Sequence, residues 1–109
     1  MKPFAFLSVC LCLAALPALL AAAASGDAAK GKSVFEQRCV ACHNADSTDK
    51  KMGPGLKGLF QRDKLKTGKK VNEANVRARI EEGGGGMPPF KDILTDPEKT
   101  DLIAYLKTL

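Results

Sequence analysis

Tryptophan is absent from this chain of 109 residues, and histidine and tyrosine each occur once. A zinc site needs three or four Cys or His ligands within reach, which a lone His43 with its few neighbouring thiols does not supply. Only four cysteines are present, and Cys10 and Cys12 both fall in an apolar N-terminal run. Cys39 and Cys42 therefore remain as the pair with chemical interest. The basic residues bring no aromatic platform with them, so a nucleic-acid surface is excluded as well. The length leaves room for one domain.

The N-terminal run has a lone Lys2, an apolar stretch from Phe4 to Leu20 broken by Pro17, and alanines up to Ala24 before the polar Ser25-Gly26-Asp27. This is the pattern of a secretory signal peptide over 1–24, with Ala22 and Ala24 as the small residues before the cut. A retained membrane anchor is the alternative, since the apolar length approaches the ~20 residues that span a bilayer. Export to the periplasm follows from the leader, and residues 25–109 form the mature domain. At about 85 residues a polypeptide core alone is marginal, so a metal or cofactor is expected to complete it.

Cys39-Val40-Ala41-Cys42-His43 is the stretch around which that domain is arranged. Two thiols three positions apart, followed at once by an imidazole, fix a c-type haem: each sulfur adds to one vinyl group and the histidine reaches the iron. One such stretch means one covalently bound haem c per chain. A redox disulfide would want a preceding strand, whereas Lys30 to Cys39 reads as helix.

Helix is expected from Asp27, a cap, to about Cys39, with Gly31 and Phe35 on one face. A last helix runs from Asp96 to Leu109, carrying Leu102, Tyr105, Leu106 and Leu109 as an apolar stripe, and the two helices should cross at Gly31. Asn72 or Asn75 caps a shorter helix reaching Glu82, with Val76 and Ile80 facing inward. Asn44 to Lys51 reads as surface loop, and Met52 to Phe60 as irregular backbone laid against an apolar surface.

Pro54 has a free carbonyl that suits the outer N–H of His43. Gly83 to Gly86 end the short helix and lead into Met87-Pro88-Pro89-Phe90, where a thioether rides on a loop stiffened by two prolines. With one histidine there is no second imidazole for iron, and Met52 lies too near the Pro54 loop. Met87 is thus the second axial donor; Lys91 would serve only when deprotonated. Arg62 either pairs with a haem propionate or stands as a surface arginine.

Gly31, Phe35, the Cys39 to His43 stretch, Gly53-Pro54, Leu56, Arg62, Met87-Pro88 and Asp101 to Leu106 appear in the order in which class I cytochromes c carry them. The chain resembles that family across its mature region. The resemblance implies an all-α cytochrome c fold whose first and last helices cross beside the haem. It also implies Cys39 and Cys42 as thioether sites, His43 and Met87 as axial ligands, and Pro54 as support for His43. The function so implied is one-electron carriage in the periplasm, by a monomer that is not an enzyme. Its partners would be a redox donor and acceptor with acidic docking surfaces, and the haem-attachment machinery during maturation. Lys64, Lys66, Lys69 and Lys70 form either a basic docking face or a solvated loop. Rival readings are a resident subunit of a periplasmic dehydrogenase or oxidase, a haem sensor or peroxidase with a labile Met87, and a haem-free thiol protein.

Overall fold

A computed structural model of the chain describes residues 25–109; the expected leader, residues 1–24, lies outside the described residues. Within them the chain forms three α-helices, α1 (Ala28–Arg38), α2 (Glu73–Glu82) and α3 (Asp96–Leu106), and a short 3-10 turn at Leu59–Gln61. The fold is all-α, as expected.

The start of α1 is set by Asp27, whose Oδ1 accepts from the backbone N–H groups of Ala29 and Lys30 at 2.9 and 3.2 Å. Its buried residues are Gly31, Val34 and Phe35, spaced i, i+3, i+4 on one stripe. That stripe meets α3, where Leu102 is 1% exposed and Ile103 and Leu106 are buried with it. Gly31 is the crossing point. A Cβ there would run into the Asp101 carbonyl and stand 2.9 Å from Tyr105 Cβ, so the helix axes approach as closely as two backbones allow. The Phe35 and Tyr105 rings lie tilted at 58° with centroids 5.5 Å apart, a favourable aromatic arrangement. At the same crossing the Asp27 backbone N–H donates to Asp101 Oδ1 at 2.8 Å, 74 positions along the chain.

Asn72 caps α2, accepting from the Asn75 N–H at 2.8 Å. Val76 and Ile80 turn into the core, where they meet Phe90 and Leu94 from the segment before α3. Arg77 Nη2 donates to Thr100 Oγ1 at 2.7 Å, and Lys107 pairs with Glu73, tying α2 to α3 along their exposed sides.

The last helix starts where expected, at Asp96, and ends sooner. The last helix is capped by Thr95, one residue before Asp96, in a reciprocal box: Glu98 N–H donates to Thr95 Oγ1 and Thr95 N–H donates to Glu98 Oε1. It ends at Leu106 rather than Leu109, because the Thr108 hydroxyl donates to the Tyr105 carbonyl at 2.6 Å and draws the chain out of helical register. Leu109 still packs against the core.

Candidate functional site

Where α1 runs out, the chain turns tightly through the two cysteines. The Cys39 carbonyl accepts from the N–H groups of Cys42 and His43 at 3.1 and 2.9 Å, and this single knot sets both thiols and the imidazole close together. Cys39 and Cys42 are free thiols, each half-buried. Burial first, and then the proximity of Cys42, push the Cys39 thiol up to about 11. At neutral pH it is therefore protonated. A disulfide catalyst depends on a thiolate favoured by its surroundings, so this environment counts against the thiol-exchange reading.

The imidazole is held on two sides. His43 Nδ1–H donates to the Pro54 carbonyl at 2.8 Å, which fixes the tautomer and leaves Nε2 with its lone pair for a metal. Gly53 lies against the ring, since a Cβ there would stand 2.5 Å from Cε1 and 2.8 Å from Nδ1. The strand of loop carrying these two residues is itself anchored beside the cysteines: Gly53 N–H donates to Cys42 O at 2.8 Å and Leu56 N–H to Asn44 O at 2.7 Å. The Asn44 to Lys51 loop braces from behind through Asn44 Nδ2 to the Asp49 carbonyl at 2.9 Å. Met52 is 80% exposed, with its Sδ 3.9 Å from Cys42 Sγ, on the histidine side of the site.

Arg62 is committed locally. Its Nη2 donates to the carbonyls of Gly55 and Lys57, at 2.9 and 2.7 Å, and so draws the Gly55 to Arg62 loop together.

Met87 sits at the end of a glycine turn. Gly84 N–H donates to Met87 O at 2.8 Å and Met87 N–H returns to Gly84 O at 3.1 Å, so the four residues close a two-residue hairpin. Its central residues, Gly85 and Gly86, have φ of 61° and 93°, the left-handed region that a type I′ turn requires at both positions. Met87 is half-buried and packs against the core.

Several residues around this loop gave no sign of themselves in the sequence. Arg79 Nη1 and Nη2 donate to the carbonyls of Gly83 and Gly84, at 3.0 and 2.9 Å. Lys99, on α3, is 4% exposed. Its ammonium donates to the Lys91 carbonyl at 3.0 Å and pairs with Glu81 and Asp96 at 3.3 and 3.5 Å. A lysine in a helix reads as solvent-facing, and only the fold brings these partners to it.

The donor set fits a covalently held haem. Two thiols and a tautomer-locked imidazole leave one turn of backbone, and among the described residues no three metal-binding side chains converge as a zinc site would need.

Comparison with known proteins points to the same cofactor. The model of the family described as "Cytochrome C oxidase, cbb3-type, subunit III" matches residues 26–106. Cytochrome c6 of Synechocystis sp. is 36% identical over 84 residues, covering 77% of this chain and 67% of that protein. Cytochrome c6 of Thermosynechococcus vestitus is 31% identical over 106 residues, covering 93% and 88%. Among solved structures, cytochrome c6 of the diatom Phaeodactylum tricornutum superposes with a TM-score of 0.61 at 27% identity, covering 76% of this chain and 93% of that one. The chain thus belongs to the cytochrome c family, as a monohaem class I member with covalently attached haem c that serves electron transfer rather than catalysis.

Proposed function

We propose that this cytochrome c is a periplasmic one-electron carrier in which Cys39 and Cys42 form the thioethers and His43 and Met87 are the axial ligands. The observation that carries the reading is the 2.8 Å bond from His43 Nδ1–H to the Pro54 carbonyl, which leaves Nε2 as a donor of fixed direction. Bound haem supplies the one-electron couple, its iron passing between ferrous and ferric. The chain's own residues supply the rest. Pro54 and Gly53 keep the imidazole from turning, and the hairpin ending at Met87 offers a thioether, a donor that favours the ferrous state. With both donors held by backbone, little rearranges when an electron arrives.

The location rests on the leader-like composition of residues 1–24 and on export as the usual condition for such thiols. None of the described helices is long and apolar enough to cross a membrane. Lys64, Lys66, Lys69 and Lys70 stand exposed on a small hairpin in which Leu65 N–H donates to Lys69 O at 2.8 Å and Val71 N–H to Asp63 O at 3.0 Å. That basic tip suits an acidic redox partner. Arg62, whose remaining donors face no assigned partner role, stays a secondary candidate for a propionate.

A second reading is favoured by the description of the matching family model: permanent residence in an oxidase as its haem-bearing subunit. Visible spectra of the purified protein separate the possibilities. A low-spin ferric form with the far-red methionine-to-iron band, insensitive to carbon monoxide when ferrous and lost in Met87→Ala, supports His43/Met87 carriage. Rapid carbon monoxide binding by the unaltered protein sinks it in favour of sensing or peroxide chemistry. Recovery in a membrane-bound oxidase complex, rather than free, supports the subunit reading.

A further inference from the structure

The segment from Gly83 to Lys91, which carries Met87, is gripped at both ends by cationic side chains reaching backbone carbonyls. At the entry, the planar fork of Arg79 takes the Gly83 and Gly84 carbonyls together, at 3.0 and 2.9 Å. At the exit, Phe90 N–H and Lys91 N–H donate to the carbonyls of Ile80 and Glu81, at 3.0 and 3.2 Å. Lys99 then takes the Lys91 carbonyl at 3.0 Å. The Glu81 carboxylate in turn holds Lys99 at 3.3 Å, so residue 81 fixes both sides of the peptide backbone at residue 91.

Burial makes the exit grip the telling one. Lys99 is the one charged side chain buried among the described residues, and an ammonium has three donors to satisfy. The Lys91 carbonyl, Glu81 and Asp96 provide three partners. A lysine needed only for solubility would point to water. This one is placed where its removal frees the Lys91 carbonyl and leaves the Glu81 and Asp96 carboxylates without it.

We propose that Lys99 and Arg79 are positioning residues for the distal ligand: they set how readily Met87 gives way to a competing ligand, and thereby keep the sixth position closed. This rests on Met87 being that ligand. The clamp acts through the backbone and touches neither the iron nor the sulfur. Its two halves act at opposite ends of the loop, so loss of either should loosen Met87 by itself.

The test uses the intact haem-loaded protein in its ferric form at neutral pH. Imidazole is titrated in while the far-red methionine band is followed, for the unaltered protein, Lys99→Met, Arg79→Gln and Met87→Ala, with two controls. Ile103→Val weakens the core without removing either grip, and Lys107→Met breaks the exposed pair with Glu73. Losing a charge-assisted hydrogen bond should lower the imidazole concentration for half-displacement by about tenfold in Lys99→Met and in Arg79→Gln. The two controls should leave it unchanged, whatever they do to denaturant stability. Should Lys99→Met fail to accumulate, Arg79→Gln carries the test alone. Clamp variants whose midpoints match the unaltered protein overturn the clamp while the Met87 assignment stands. A band absent from the unaltered protein, or retained in Met87→Ala, overturns the Met87 assignment and the clamp with it.

Discussion

Gly53 shows how much a single hydrogen atom in place of a side chain decides at this site. The backbone passes the His43 ring so closely that a methyl group would stand 2.5 Å from Cε1, and the ring cannot retreat without breaking its bond to Pro54. Gly53→Ala should therefore destabilise the haem-loaded protein by about 1–3 kcal/mol, the usual effect of overpacking, and shift its reduction potential as the ring turns. Denaturant unfolding and a redox titration would check both; an unchanged potential would show that the ring tolerates the intrusion. The Pro54 carbonyl was legible in the sequence as a free acceptor suited to the outer N–H of His43. Gly53 was not, since a glycine before a proline reads as an ordinary turn residue. Arg62 was ambiguous for a related reason: nothing in a sequence shows which of five guanidinium donors will be taken by nearby carbonyls, as Gly55 and Lys57 take Nη2 here.

Among the elements, the crossing of α1 with α3 was the most readable, because Gly31 and Phe35 share a face and the apolar stripe around Leu102 requires a partner. Gly31→Val should be costly even though glycine is a poor helix former. Relief of about 0.4 kcal/mol in helix propensity is outweighed by the collision with the Asp101 carbonyl, and net destabilisation of about 3 kcal/mol is expected from thermal or denaturant unfolding. The start of α3 illustrates the opposite case. Thr95-Asp96-Pro97-Glu98 contains the spacing of a capping box, which the reading of Asp96 as the first helical residue passed over.

That box also gives α3 a pH dependence. Hydrogen bonds from the Thr95 backbone first, and then from its side chain, hold the Glu98 carboxyl below its ordinary value. A carboxyl whose folded-state value is depressed contributes fully above its unfolded value, and the contribution fades as pH falls through the folded one. Glu98→Gln should therefore flatten the acid limb of stability and leave the slope at neutral pH unaltered. Unfolding midpoints collected across the acidic range would reveal it; identical slopes for the two proteins would mean that the box contributes no linkage.

For the molecule as a whole, charge is the property most exposed to partners. The formal net charge is +5, and +4 with Lys2 set aside, yet four of the lysines crowd onto the hairpin around Gly68. If that hairpin meets an acidic partner, electron-transfer encounter rates should fall as ionic strength rises. Lys66→Glu combined with Lys69→Glu should slow the low-salt rate by about tenfold or more while leaving the visible spectrum intact. Stopped-flow mixing with an acidic redox protein at several salt concentrations measures this, and a rate indifferent to both salt and substitution would place docking elsewhere. The basic run was plain in the sequence. What its composition could not convey is that Lys64 and Lys70 bridge to make a projecting tip, because that pairing depends on a left-handed residue at Gly68 closing the turn.

The bond from Asp27 to Asp101 joins residues 74 positions apart. A contact across so long a stretch of chain carries a loop-closure cost, which the burial of Phe35 and Leu102 around it offsets. Until α3 exists, α1 has no surface on which to bury Phe35, and an isolated helix of its length is marginal in water. The two thiols that follow α1 therefore stand at the end of an element that only the last helix of the chain completes.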